Sequence, residues 1–181
     1  MAGAEALGTR PAAALNPLID RAVAASELAD ATIATVQKIA AELRPGTLDT
    51  LGLAAALNQK ARNFQERIGA ACTFVADAAC PELPTEIANE LFYICQEALT
   101  NVARHAHATK VEIHLRTEGG TVVLEVRDDG VGLAEADLHA RRSLGLTGMR
   151  ERAVQCGGTV AFTRNEPKGT RVVVRVPVKN G

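Results

Sequence analysis

The most constraining feature of this chain is a change of hydrophobic period part-way along it. "TEIANELFYICQEALTNVARHA", Thr85 to Ala106, places Ile87, Leu91, Ile94, Ala98, Leu99 and Val102 on one side of a helical wheel. That spacing predicts an amphipathic helix, with Thr85 placed to cap it. Directly afterwards the apolar residues alternate. "KVEIHLRTE" and "TVVLEVRDDG", separated by "GG", read as a β-hairpin. "GVGLAEADLHARRSLGLTGM" is Gly-punctuated and polar, which predicts a loop with a short helical piece. "GMRERAVQCGG" reads as a helix, and "TVAFTRNE" and "GTRVVVRVPV" as a second hairpin around "PKG". A helical pattern cannot serve as a strand, nor the reverse. The order therefore predicts an α+β sandwich: one antiparallel or mixed sheet with helices on one face.

Two further helices precede this block. In "PLIDRAVAASELADATIATVQKIAAEL", residues 17–43, Leu18, Val23, Leu28, Ile33, Val36, Ile39, Ala40 and Leu43 recur at helical steps, and "RPG" ends the run. A long single-striped helix must bury its stripe, and a helix of a second chain is one way to do so. Leu51, Leu53, Ala56, Leu57 and Phe64 mark another helix over roughly residues 50–68, and "CTFVADA" is a short strand candidate. Residues 1–16 read as a flexible lead.

The formal net charge of −1 argues against a nucleic-acid or membrane-surface binder, both of which want a basic excess. With no Trp, one Tyr and four Phe, the scarcity of aromatics argues against a base-stacking single-strand platform as well. The four cysteines, Cys72, Cys80, Cys95 and Cys156, form no CxxC pair and read as small buried hydrophobes in a reducing compartment. No apolar run is long enough to span a bilayer.

Four motifs carry chemistry. Glu97, Asn101 and His105 stand at i, i+4 and i+8, one face of a helix. A carboxylate and an amide one turn apart offer oxygen ligands to a hydrated Mg²⁺, although a solvated stripe has the same appearance. "RDDGVG", Arg127 to Gly132, ends an alternating strand with an acceptor and two glycines that let a flat ligand come close; a plain Asp-Gly turn reads the same way. "SLGLTGMRER" brings two glycines, Gly145 and Gly148, into a helix start, where backbone N–H groups attract anions. "KGTRVVV" is a turn entering a strand.

In order and spacing, these motifs closely resemble the ATP-binding domain shared by sensor histidine kinases, gyrase-type topoisomerases, Hsp90-type chaperones and MutL-type repair proteins. "EALTNVARHA", "DDGVG", "GLTGMRERA" and "GTRVVVRVPV" look most like the histidine kinases that serve LuxR/NarL-type response regulators, over about residues 80–178. The resemblance implies ATP and Mg²⁺ as ligands. Asn101 matches the asparagine that binds Mg²⁺, and Glu97 the acidic residue near the metal water and the γ-phosphate, which would assist as base. Arg104 and His105 match positions near the phosphates or ribose. Asp128 matches the aspartate that accepts from the adenine amine, with Gly130 and Gly132 its glycines. Gly145, Leu146 and Gly148 match the second glycine box, at the hinge of a lid over roughly Leu133–Leu144, in which Arg141 and Arg142 would reach a triphosphate. Thr170 matches the threonine near the adenine pocket.

The same resemblance divides the chain into a partial dimerisation helix (17–48), a linker helix with the first strand (49–80) and the catalytic domain (81–178). In that family the phosphoacceptor histidine lies on the first dimerisation helix. This chain has no histidine before His105. It is therefore expected to bind ATP without phosphorylating itself, as a fragment of a parent kinase, and to form a homodimer, if at all, through the 17–48 helix. Implied partners are the parent's phosphoacceptor domain and a LuxR/NarL-type regulator, with no nucleic acid; the implied location is cytoplasmic, with any membrane anchor upstream. An anti-sigma-type serine kinase or a standalone ATP-binding regulator shares the boxes, but the kinase-like linker "ELRPGTLDTLGL" argues against it. His107 and His114 read as bystanders, His139 as a lid residue, and a His105/His107 zinc site lacks further ligands.

Overall fold

In a computed structural model, described residues are 46–77, 82–133 and 144–178, together with Thr32. The chain divides into two units, residues 1–43 and 44–181, and the second carries everything below. The 17–43 helix, most of the lid with His139, Arg141 and Arg142, and Cys80 lie outside the described residues.

The architecture is the expected α+β sandwich. Helix α1 spans Gly46–Ile68, strand β1 Ala71–Ala76 and helix α2 Thr85–Asn101, which runs into a π-helical turn at Val102–Ala106. Strands β2 (Lys110–Glu118) and β3 (Thr121–Asp128) follow, then helix α3 (Leu144–Gln155) and strands β4 (Thr159–Arg164) and β5 (Thr170–Pro177). The sheet order is β1-β2-β3-β5-β4, with only the β1–β2 pair parallel. Gly119 and Gly120 both adopt positive φ (54° and 79°), as a two-residue primed turn needs, and this sets the β2–β3 register.

Alternation along the strands builds one core face. Val111, Ile113, Leu115, Val122, Leu124, Val126, Val172, Val174 and Val176 all point at the helices and join one cluster with Leu57, Leu91, Phe92, Ile94 and Met149. Each such side chain removed from water contributes about 1.5–3 kcal/mol. His114 falls on the opposite face, half-exposed, as its phase on β2 requires.

Four expectations need correction. Helix α1 starts at Gly46 and breaks at Gly52, whose φ of 78° no helix tolerates. The break puts Leu51 out of phase, and it is 67% exposed while Leu53, Ala56, Leu57, Ala61 and Phe64 are buried. Thr85 is not the cap of α2: Pro84 holds that position and no side chain caps the helix. Gly145 and Gly148 do not lead into α3 but lie within it, since the helix opens at Leu144. Of the described cysteines, Cys72 and Cys95 are buried free thiols, but Cys156 is half-buried at the α3 terminus, where Sγ donates to the Arg152 and Ala153 carbonyls.

Candidate functional site

The site assembles where α2 ends. Up to Asn101 the backbone is α-helical; beyond it the ladder widens to π spacing and stops at His107, a non-glycine residue in the left-handed region (φ 49°). Single π-turns inside helices concentrate at functional sites. The strict i, i+4, i+8 stripe therefore ends at Asn101, and the wider turn carries His105 off it. Asn101 and His105 still line one cavity together.

Glu97 lies outside that cavity lining. It sits one turn before Asn101, against the first turn of α3. A Cβ on Gly145 would overlap Glu97 Oε1 and lie 3.6 Å from Asn101 Nδ2. A side chain at Gly145 would therefore have to push the Glu97 carboxylate aside. Burial pushes the Glu97 carboxyl up, and the nearby positive charges of Arg104 and Arg152 partly offset this. Arg152 also ties the two helices: Nη1 donates to Glu90 at 2.9 Å, and the guanidinium stacks on the Tyr93 ring. Arg104 is exposed beside the site. Gly148 meets nothing within 4 Å of an added Cβ, so packing does not demand glycine there.

Asp128 closes β3 and is 4% exposed. Its Oδ1 accepts from the Gly130 N–H at 2.8 Å, while among the described residues nothing donates to Oδ2. Its backbone carbonyl accepts from Asn165 Nδ2 at 2.8 Å, and Gly169 (φ 106°) packs directly on that carbonyl. The two glycines of the Asp-x-Gly-x-Gly run do something other than make room for a ligand. A Cβ on Gly130 would overlap the Ala106 carbonyl, and Gly132 (φ 81°) would meet the Gly169 carbonyl at 3.0 Å. They bring three chain segments together, and only Gly132 also borders the cavity. Asp129 clamps the same corner. Its carboxylate accepts from Thr109 N and Lys110 N, each at 2.8 Å, and from Thr109 Oγ1 at 2.6 Å. These bonds, led by the Thr109 hydroxyl, hold its pKa down to about 2.

The cavity is about 450 Å³ in volume and is bordered by Asn101, His105, Asp128, Gly132, Leu146 and Thr170 among the residues expected from the motifs. Ala98, Val102, Val126, Met149 and Val172 supply an apolar lining that motif reading missed. The signal was available: Val126 and Val172 are two residues from Asp128 and Thr170 and so share their sheet face. Asn165, which holds the Asp128 carbonyl, carries no motif signature, and Asp129 stands inside the "RDDGVG" run without being marked there as the clamp. A mostly apolar cleft of this size, with a carboxylate at its inner wall and amide and imidazole at its rim, suits a flat heterocycle with a polar tail.

A profile of the family described as histidine kinase-, DNA gyrase B- and HSP90-like ATPase matches residues 86–180, a span that contains every motif above. The chain belongs to this family. Among curated proteins, this ATPase-family chain is 32% identical over 163 residues to the oxygen sensor histidine kinase NreB of Staphylococcus carnosus, covering 90% of this chain and 47% of NreB. It is 33% identical over 161 residues to the sensor histidine kinase MctS of Rhizobium johnstonii, covering 88% of this chain and 34% of MctS. The chain thus spans half or less of these relatives. Among solved structures, it superposes on the histidine kinase domain of the Erythrobacter litoralis EL346 blue-light activated kinase with a TM-score of 0.57 at 26% identity, over 70% of this chain and 61% of that one. It also shares its fold with the ATP-binding domain of PrrB from Mycobacterium tuberculosis (TM-score 0.56, 20% identity, 71% of this chain and 95% of that one). The region is an ATP-binding domain of the histidine-kinase type. Among the described residues, no helix is long and apolar enough to cross a membrane.

Proposed function

We propose that this chain is the ATP·Mg²⁺-binding catalytic part of a sensor histidine kinase. It would donate the γ-phosphate to a histidine outside these 181 residues and serve a LuxR/NarL-type response regulator. The observation that carries this reading is the convergence of Asn101, His105, Asp128, Gly132, Leu146 and Thr170 on one cavity. Residues from α2, the β3 end, α3 and the β5 start meet there although they are far apart in sequence.

Asp128, with Oδ1 engaged by Gly130, keeps Oδ2 to accept the adenine amine, and Thr170 flanks it. The apolar walls hold the base. Asn101 and Glu97 supply an amide and a carboxylate oxygen beside each other, a donor set that fits Mg²⁺. That ion keeps waters and phosphate oxygens as its remaining ligands and needs only one or two from the protein. When bound, it neutralises charge on the β- and γ-phosphate oxygens. Glu97, its carboxyl raised by burial, would orient a water or accept a proton. Arg104 and His105 lie on the phosphate or ribose side. Gly130 and Gly145 hold the corner and the α3 approach that keep these groups together, Gly148 marks the hinge, and Arg141 and Arg142 would approach the phosphates from the lid. The rate then comes chiefly from positioning and charge stabilisation. We further propose a cytoplasmic location and dimerisation through the 17–48 segment.

Titration with a fluorescent ATP analogue, with and without Mg²⁺, tests the reading. Saturable binding that Mg²⁺ strengthens and Asn101→Ala uncouples from Mg²⁺ is expected. Binding that neither variant of Asn101 nor of Asp128 alters would overturn it. Mixing the chain with an Asn101-defective full-length parent should yield phosphohistidine.

A further inference from the structure

The sheet face that the helices leave open carries an unbalanced charge cluster. Glu125, at its centre, is 0% exposed. Its Oε1 accepts from both Arg127 Nε and Arg171 Nε, and its Oε2 from Arg116 Nη1 at 2.7 Å. Burial works against ionisation, but hydrogen bonds from Arg171, Arg127 and Arg116 outweigh it and hold the carboxyl down at about 2. One buried negative charge therefore faces three guanidinium groups. Arg116 has a second carboxylate, Glu118, at 2.7 Å. Arg127 and Arg171 hydrogen-bond to Glu125 alone, and Glu112, opposite Arg127 on β2, adds a weaker attraction while pairing with Lys110.

Their geometry makes this imbalance specific. Arg127 and Arg171 are directly opposed in the β3–β5 register, so their Cα atoms stand roughly 5 Å apart. Both are anchored through Nε on the same carboxylate oxygen. The Nη1 and Nη2 groups of both arginines have no partner among the described residues, and their side chains keep 38% and 36% of their exposure. Two like charges are thus held side by side on one carboxylate oxygen, with their Nη groups unbonded among the described residues. Arg175, exposed on the same face, adds to the field. A planar guanidinium fork matches a carboxylate with two parallel bonds.

We propose that this open face docks an acidic segment of a partner protein, with carboxylates seated on the Nη edges of Arg127 and Arg171. A flat face suits a protein segment better than a small anion, which binds in concave sites. Glu112, opposite Arg127 on β2, and Glu118, paired with Arg116, interrupt the positive patch and oppose a long polyanion such as nucleic acid. The placement also bears on the domain's chemistry. Arg127 immediately precedes Asp128 and Arg171 immediately follows Thr170, so the docking residues and two cavity residues alternate on the same strands.

The test uses the full 181-residue chain and a fluorescein-labelled hexaglutamate peptide at low ionic strength. Saturable binding is expected, weakened at least tenfold in Arg127→Gln/Arg171→Gln and unchanged in Lys110→Gln. The Arg127→Lys/Arg171→Lys variant keeps the charge and loses the forks, and it should bind nearly as poorly as the Gln pair. Full binding by the Lys pair would reduce the face to general charge attraction and overturn the proposal, as would no binding by the parent chain. Tighter, Arg-dependent binding of inorganic phosphate or a duplex oligonucleotide would assign the face to phosphate chemistry instead. A fluorescent ATP analogue added to each variant separates this result from the nucleotide reading, since the variants leave the cavity lining intact.

Discussion

The two faces of the central sheet are made by the same strands and do opposite things. Along β3, Val122, Leu124, Val126 and Asp128 point toward the helices, while Val123, Glu125 and Arg127 point away. On the covered face, burial is apolar and one carboxylate, Asp128, sits at the end of the apolar row beside the cavity. On the open face, a carboxylate at the centre is buried by arginine side chains rather than by helices. Asp128 accepts a backbone N–H on Oδ1 and has no donor on Oδ2 among the described residues; Glu125 accepts from three guanidinium groups. Two acids three residues apart thus differ: Asp128 borders the cavity, and Glu125 braces three arginines. The difference lies in what each face supplies as a partner.

The largest break in this comparison is expected from the core. Leu124→Ala on the covered face should cost about 3 kcal/mol in urea unfolding, through lost transfer and a residual cavity. Arg175→Ala on the open face should stay within about 0.5 kcal/mol. If the two cost the same, the faces are not energetically distinct.

Next comes Asp128. Asp128→Asn should weaken ATP at least tenfold, of the order of the ~1.5–3 kcal/mol of a hydrogen bond to a charged group. Inosine triphosphate lacks the exocyclic amine and should lose far less. Equal losses for both nucleotides would place the adenine elsewhere.

Glu125 sharpens the other face through pH. Its carboxyl is held at about 2, below the ordinary value of 4.5. A carboxyl depressed on folding stabilises the folded state above its unfolded pKa and loses that contribution as pH falls through the folded one. Acid unfolding of the parent chain should therefore steepen between about pH 4.5 and 2 relative to Glu125→Gln. Identical acid limbs for the two would remove the brace.

The smallest effect is a gain. Gly148 lies inside α3 with nothing near an added Cβ. Gly148→Ala should stabilise the chain by up to about 1 kcal/mol from helix propensity, visible as a higher Tm. Unchanged ATP affinity in that variant would show that glycine is not needed there as a hinge, and a loss of affinity would show that it is. Gly145→Ala must instead displace Glu97.

Much of the fold was legible because periodicity is a local record of burial. The period-two runs located β2, β3, β4 and β5, and the 3.6-period run located α2, since each side chain's face follows from its phase alone. The motifs likewise named Asn101, His105, Asp128, Gly132, Leu146 and Thr170, all of which border the cavity. What phase cannot carry is where a regular pattern stops being regular. The Gly52 break, the π-turn after Asn101 and the start of α3 at Leu144 are such places.

By itself, then, the sequence determined the element types, the covered face of each strand and the family. Those follow from local period and motif order. Only the tertiary structure decided that Gly130 and Gly145 serve packing against Ala106 and Glu97, that Asn165 and Asp129 brace Asp128, and that Arg116, Arg127 and Arg171 converge on one buried Glu125. The physical reason is the same in each case. Arg127 apart, which is two residues from Glu125, these are contacts between residues 9–48 positions apart, and their worth depends on register and close approach, which no local pattern records.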